Sequence, residues 1–276
     1  MGKNDLETIE FDLLLEAIVR RYGYDFRNYA RASIERRVRQ AMAKLHLERI
    51  SELTTHLLHD PQFFQDLVAN FSITVTEMFR DPQVYLALRE KVIPYLATYP
   101  FIKIWHAGCA TGEEVYSLAI LLMEEGLLER TTIYATDFNE AALETARAGI
   151  YPIEKIKEYN ENYLRAKGKC SFSSYYHAQY DSVIMNKGLK KALTIARHNL
   201  VTDQVFGEMH LIMCRNVLIY FNRELQERVF TLFDESLGHG GFLCLGTKET
   251  IRFYPMAENF TEFDPQNKIY RKRSKS

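Results

Sequence analysis

The chain contains no C-x-x-C pair, no H-x-x-x-H and no H-E-x-x-H. Its four cysteines, Cys109, Cys170, Cys214 and Cys244, are widely separated, and its eight histidines are scattered. Zinc sites and redox dithiols need such spacings, so neither metal-dependent nor dithiol chemistry is expected. Three of the cysteines fall in or beside apolar strands, where a free thiol is a small hydrophobe. A reducing cytoplasm is the natural compartment. No apolar run reaches membrane-spanning length; the longest, around Val115–Met123, is broken by Tyr116 and Ser117 and flanked by acids. The opening MGKNDLETIEF lacks the hydrophobic segment of a secretory signal, and Leu6 breaks the myristoylation pattern. Charge of either sign is not in excess: 35 Lys and Arg against 36 Asp and Glu give a net charge of −1. That balance excludes a general nucleic-acid binder, and no membrane insertion is expected.

What is present suggests about two domains in 276 residues, with an ordinary globular composition. Residues 5–80 read as helices. Leu6, Ile9, Leu13, Leu14, Ala17 and Ile18 recur at helical spacing, and Ser33–Leu45 is amphipathic and basic. Between residues 20 and 44, Arg20, Arg21, Arg27, Arg31, Arg36, Arg37, Arg39 and Lys44 face only Asp25 and Glu35. Such a stretch is either a solvated helix face or a docking surface for an acidic partner. Asp60-Pro61 starts a helix over 62–70. Ser72–Val75 alternates like a short strand, and Asp81 reads as the cap of a helix beginning at Pro82. The boundary falls near residues 85–100, giving a helical domain over 1–85 and a second domain over 86–276.

From 101 onward, strands at 101–107, 131–136, 193–197, 209–214, 240–246 and 267–271 alternate with helices at 112–126, 139–148 and 222–237. This is the α/β pattern of a mainly parallel sheet covered on both faces. Residues 150–192 interrupt it with a charged helix, the run Phe172–Tyr176 and a hairpin around Asn186-Lys187-Gly188. An inserted subdomain of this kind carries contacts more often than core.

The centre of the α/β part is 101–117. A buried strand runs into Ala107-Gly108-Cys109-Ala110-Thr111-Gly112, and a helix opens at Glu113. Strand, glycine turn and helix bring the backbone close to a nucleotide-like ligand. The turn is not the dinucleotide fingerprint, because Glu113 and Glu114 open the helix where a pyrophosphate needs bare N–H groups. The two acids suit a cationic group such as an amino-acid ammonium, although Thr111-x-x-Glu114 also reads as a capping box. Asp137 ends the next strand at the spacing of a ribose-binding acid, and it also fits a helix cap. A nucleoside without phosphate and with a cationic tail describes S-adenosylmethionine. Farther on, Cys214–Phe221 leaves the end of the fourth strand with two polar residues, Asn216 and Tyr220, in apolar surroundings. They are loop hydrogen-bonders or ligand contacts.

Thr76–Asp81 (TEMFRD), Ala107–Ser117 (AGCATGEEVYS), Ala135-Thr136-Asp137, His198-Asn199-Leu200 and Cys214–Phe221 (CRNVLIYF) occur in that order. Together they resemble the CheR family of chemotaxis-receptor methyltransferases over nearly the whole chain. The resemblance implies a Rossmann-like class I methyltransferase domain behind a small all-α N-terminal domain, with a small antiparallel β insertion. It implies methyl transfer from S-adenosylmethionine to receptor glutamates, leaving S-adenosylhomocysteine and needing no metal. Cofactor contacts are implied at Thr74, Thr76, Arg80, Glu113, Asp137, Asn199, Leu200, Arg215 and Asn216, with Arg80 and Tyr220 beside the transferred methyl. Position 74 is Thr where many members carry Asn, and only some members bind a receptor-tail peptide on the insertion. The implied partner is the acidic helices of a methyl-accepting receptor, docked by Arg36, Arg37 and Arg39, with the enzyme a cytoplasmic monomer. A methyltransferase for another substrate and a cofactor-binding scaffold without transfer are the alternatives.

Overall fold

The computed structural model describes residues 3–71 and 76–274. The chain divides into two compact units, Met1–Ile73 with Leu218–Arg228, and Thr74–Val217 with Val229–Ser276. Residues 76–85, placed in the first domain from sequence, fall in the second unit. Met78, Phe79, Val84 and Tyr85 are buried in its core. Ser72–Val75, read as a short strand, lies outside the described residues.

The first unit is helical: α1 Lys3–Tyr22, α2 Arg31–Leu45, α3 Ile50–His59 and α4 Pro61–Phe71. Asp60 caps α4, its Oδ1 accepting from the amides of Gln62 (2.9 Å) and Phe63 (3.1 Å). On α1 the buried stripe is Phe11, Leu14, Leu15 and Ile18, the i, i+3, i+4, i+7 set that forms one face. Leu6, Ile9 and Leu13, counted toward that stripe from periodicity alone, are 53, 43 and 60% exposed. The segment 218–228 joins this unit through the backbone. Ala30 N donates to Tyr220 O (2.7 Å), Asn222 N donates to Asn28 O (2.9 Å), and the rings of Tyr29 and Phe221 meet edge-on.

In the second unit α5 Pro82–Ala87 passes through a π-helical turn, Leu88–Val92, into α6 Ile93–Leu96. There follow β1 Ile102–Ala107, α7 Glu113–Glu124, β2 Thr131–Asp137, α8 Glu140–Ala148, β3 Ile150–Pro152 and α9 Ile156–Arg165. Then come β4 Tyr176–Gln179, β5 Ser182–Met185, α10 Lys187–Lys190, β6 Leu193–Arg197 and β7 Met209–Cys214. α11 Arg223–Ser236, whose residues to Arg228 belong to the first unit, β8 Leu237–Leu245, β9 Phe260–Asp264 and β10 Ile269–Lys272 complete the chain. Among the described residues, a seven-stranded sheet has the order β6-β2-β1-β7-β8-β10-β9. Its first five strands pair in parallel, and β10 and β9 form an antiparallel edge. β9 has no counterpart among the strands expected from sequence.

The insertion is a small antiparallel sheet, β3-β5-β4. Its hairpin turns at Tyr180-Asp181 between β4 and β5, not at Asn186-Lys187-Gly188. The latter residues start α10, because the amide of Leu189 bonds back to Asn186 O (3.0 Å).

The sheet order fixes where a ligand can sit. The chain runs outward from β1 through β2 to β6, then returns to β7 on the other side of β1. Connections diverge at that switch point and leave a crevice beyond the carboxyl ends of the strands.

Candidate functional site

At the end of β1 the chain passes three times through left-handed backbone, at Gly108, Ala110 (φ +48°) and Gly112. Gly108 (φ +74°) leaves no room for a side chain, since a Cβ there would lie 2.4 Å from Val217 Cγ2. Gly112 (φ +91°) is closed against α8, where a Cβ would lie 2.8 Å from that of Ala146. The turn between them is tied to β2. Thr136 O accepts from the amides of Gly108 (2.8 Å) and Cys109 (2.9 Å), and Asp137 Oδ2 accepts from the amide of Ala110 (2.9 Å). Asp137 Oδ1 accepts from the amide of Asn139 (2.9 Å). The cap of α8 is Asn139, whose side chain accepts from Ala142 N, so Asp137 is not spent on capping. Burial raises the Asp137 pKa, and the amide donors oppose that rise.

The two glutamates opening α7 have separate fates. Neither forms the expected capping box, because the helix is capped by Gly112 without a side-chain bond. Glu114 is buried in an ion pair with Arg215 Nη1, and Tyr85 OH lies 3.4 Å from its Oε1. Burial opposes the Arg215 charge, but Glu114, assisted by Asp81, outweighs it and holds the guanidinium protonated. His106 Nε2 lies 4.0 Å from the other oxygen of Glu114. Burial, then the Arg215 charge, push this imidazole down to about 3, so it is neutral and forms no ion pair. Glu113 instead accepts from Thr111 Oγ1 (2.6 Å) and lies 3.4 Å from Tyr159 OH. It forms no ion pair among the described residues. Burial pushes its carboxyl up to about 7, against the pull of the Thr111 hydroxyl.

Arg80 sits in a turn between two non-glycine residues at positive φ, Phe79 (+53°) and Asp81 (+53°). The turn is bonded on every side. Asn162 Nδ2 donates to Met78 O (3.2 Å), Phe79 N donates to Ser117 Oγ (2.8 Å), and Arg215 Nη1 donates to Arg80 O (3.1 Å). Asp81 precedes Pro82 at the start of α5 as expected, but its carboxylate makes no cap bond. It pairs with Arg215 Nη2 at 2.5 Å. The Arg215 side chain has no exposed surface. A ligand could therefore meet that residue only at its main chain.

The end of β7 turns through Asn216 (φ +59°), a conformation in which Asn is over-represented. Glu249, which the sequence reading missed, holds this turn. Its carboxylate accepts from the amides of Asn216 (3.1 Å), Val217 (2.9 Å) and Gly246 (2.6 Å). A carboxylate that binds main chain 33 residues away leaves no local pattern to find. Asn216 Oδ1 is buried without a hydrogen-bond partner, so it can accept from a ligand. On the other side of the sheet His198 N donates to Asp137 O (3.1 Å), drawing Asn199 and buried Leu200 toward the same strand ends. The second unit thus gathers Arg80, Glu113, Asp137, Asn199, Leu200, Arg215 and Asn216. Half-buried Thr76 precedes them in the chain, and Thr74 lies outside the described residues. An acid without a cation, an orphaned acceptor and a strand-end carboxylate fit an amino-acid nucleoside. Among the described residues no cluster of His, Cys, Asp and Glu is arranged to hold a metal ion.

Tyr220 belongs to the helical unit through the bond from Ala30. The basic stretch of that unit is less bare than its local sequence implied, because α1 supplies acids from outside the window. Arg39 pairs with Glu7 (2.8 Å), Arg31 with Asp12 (2.9 Å) and Glu35 (2.7 Å), and Arg27 with Glu16 (3.0 Å) and Asp25 (2.7 Å). Arg36 is exposed, and Arg37 beside it is half-buried.

Residues 74–267 match the family described as CheR methyltransferase, SAM binding domain, and residues 9–72 match CheR methyltransferase, all-alpha domain. A relative named Cher3 from Pseudomonas putida is 51% identical over 264 residues, which cover 96% of this chain and 97% of that protein. A chemotaxis protein methyltransferase from Listeria innocua is 30% identical over 249 residues, covering 90% of this chain and 92% of its own. One from Borreliella burgdorferi is 28% identical over 258 residues, covering 88% of each. The all-α unit, the switch-point crevice and the acids at the ends of β1 and β2 accord with these matches: the chain belongs to the CheR methyltransferase family.

Proposed function

We propose that this protein methylates glutamate side chains of a chemotaxis-type receptor, forming glutamate methyl esters and S-adenosylhomocysteine. Relatives named chemotaxis protein methyltransferases support the substrate class. The observation that carries the cofactor half of the reading is Glu113, a buried acid that hydroxyls hold and that pairs with no cation among the described residues. Its natural complement is an ammonium. Asp137 has lone pairs left for ribose hydroxyls, and Asn216 Oδ1 has an open acceptor. Thr74, Thr76, Asn199, Leu200 and the main chain of Arg215 complete the proposed contacts.

When bound, S-adenosylmethionine supplies a methyl group on a sulfonium, open to displacement by a carboxylate oxygen. A glutamate titrates near ~4.3 and is already ionised at neutral pH, so no general base is needed. The task left to the protein is positioning and exclusion of water. Arg80, its backbone fixed by the surrounding turn, holds or screens charge at the acceptor carboxylate. Tyr220 keeps the orienting role that the family resemblance gives it. Arg36, Arg37 and Arg39 dock the acidic helices of the receptor.

Labelled-methyl transfer to purified receptor fragments tests the proposal. Base-labile label on a receptor glutamate is the expected result. Calorimetric cofactor binding without transfer to any acceptor would instead make the chain a scaffold, and label on another molecule would change the substrate.

A further inference from the structure

We infer that Asp81 and Arg215 are a positioning pair that sets the Arg80 turn, an assignment that rests on the methyl-transfer role proposed for Arg80. Phe79 and Asp81 both hold left-handed backbone, a conformation that strains non-glycine residues. Such a turn persists only where its surroundings over-determine it. Here three side chains bind its backbone: Asn162 at Met78 O, Ser117 at Phe79 N and Arg215 at Arg80 O. Ser117 Oγ in turn donates to Glu113 O (2.7 Å), so one hydroxyl joins the turn to the first residue of α7.

Arg215 is the only one of the three that also grips a turn side chain. Its planar guanidinium gives Nη2 to Asp81 and Nη1 to both Arg80 O and Glu114. One residue thereby fastens the turn to α7 and to the end of β7. A lysine cannot reproduce this, because it presents a point charge and not a fixed fork. The Arg215 side chain is wholly buried while Asp81 is 38% exposed, so the fork is a fixed post and Asp81 is the hook that catches it. Neither side chain needs to touch substrate. Their effect passes through the direction in which Arg80 leaves the backbone.

The test is Asp81→Asn, nearly isosteric and partly exposed, with Arg215→Lys as the second variant. Transfer rate, cofactor Kd by calorimetry and amide hydrogen exchange of the 79–81 segment are measured in both. Misplacing a catalytic group by about 1 Å costs roughly 100-fold, so kcat should fall by about 30- to 100-fold, a larger change than that in cofactor Kd, since Arg80 is also among the implied cofactor contacts. Exchange at the Phe79 and Arg80 amides should quicken by about tenfold even without cofactor. Because the pair acts through Arg80, Asp81→Asn should cost nothing further in an Arg80→Ala background; residues that act independently add. Unchanged exchange, or losses that multiply in the double variant, would overturn the inference. Should the parent transfer no methyl to any receptor fragment, the proposed function falls, while the exchange measurement still decides whether the pair holds the turn.

Discussion

Both units place arginines against carboxylates; both have exposed pairs, such as Arg252–Glu262 in the second, but the second also has deeply buried ones. In the helical unit Arg39 is 64% exposed beside Glu7, and Arg31 is 48% exposed beside Asp12. In the methyltransferase unit Arg215 is 0% and Glu114 7% exposed, and Arg89 with Glu124 is nearly as deep at 10% and 1%. Exposed pairs contribute ~0–1 kcal/mol and exchange readily with other charges. Breaking a buried pair by removing one partner costs about 3–5 kcal/mol, because the survivor keeps its charge without its counterion. The same two residue types therefore form replaceable exposed pairs and, in the second unit, a buried fixed frame as well.

Removing Glu114 breaks that contrast most forcefully. Glu114→Gln leaves Arg215 buried with Asp81 and a carbonyl as its remaining partners. A loss of about 3–5 kcal/mol is expected in denaturant unfolding, a Tm fall on the order of 10 °C. A change under about 1 kcal/mol would put this pair in the same class as Arg39–Glu7.

Next in size is Asp137→Ala. The variant loses the acceptor of two turn amides and the proposed ribose contact. Hydrogen bonds to charged groups are worth about 1.5–3 kcal/mol each, so calorimetry should find cofactor Kd raised by roughly 100-fold. Equal affinity in variant and parent would remove the ribose assignment.

Glu113 sharpens the comparison through pH. Its folded pKa of about 7 lies above the ordinary carboxylate value, so burial makes the charged form costly in the free protein. Its contribution to stability therefore declines as pH rises from about 4.5 to 7 and is level above. An ammonium ligand reverses the preference by stabilising the carboxylate. Cofactor affinity should fall toward tenfold per pH unit below about 7, with a proton released on binding at pH 6. Calorimetry in two buffers of different ionisation enthalpy reads that proton. Glu113→Gln should abolish both effects, and proton release that survives the substitution would assign it elsewhere.

Much of the second unit was legible because its central strands β1 and β7 are mostly apolar and buried, and Gly108 and Gly112 mark the turn between strand and helix. β1, β2, β6, β7 and α8 lie within a residue or two of where the pattern put them. Asp137 and Glu113 could be singled out as candidates because each stands at the end of an element whose boundary the sequence marks. What escaped depends on contacts between distant segments. Glu249 bonds main chain beyond β7, Asp81 pairs across 134 positions with Arg215, and Arg39 meets Glu7 only because α1 and α2 lie side by side. Counting charges inside one window could not see acids brought in from another helix. The misplaced hairpin has the opposite cause: Asn186-Lys187-Gly188 has turn chemistry, and it turns, but into a helix.

The smallest effects test whether the surface pairs are indeed exchangeable. Arg36→Glu should raise KM for receptor fragments by about 5- to 10-fold and leave cofactor Kd and Tm unchanged, since this exposed side chain faces solvent. Arg39 allows a finer test, because the two ends of its ion pair should act with opposite signs. Arg39→Ala removes a proposed docking charge and should raise KM about twofold. Glu7→Ala releases Arg39 from its internal partner and should lower KM by a similar factor, with Tm moved by less than about 2 °C in either case. A pair that served the fold would behave otherwise, since losing either end would lower Tm and neither end would improve docking. Opposite signs in KM at equal Tm thus separate a surface held ready for a partner from one that only solvates a helix.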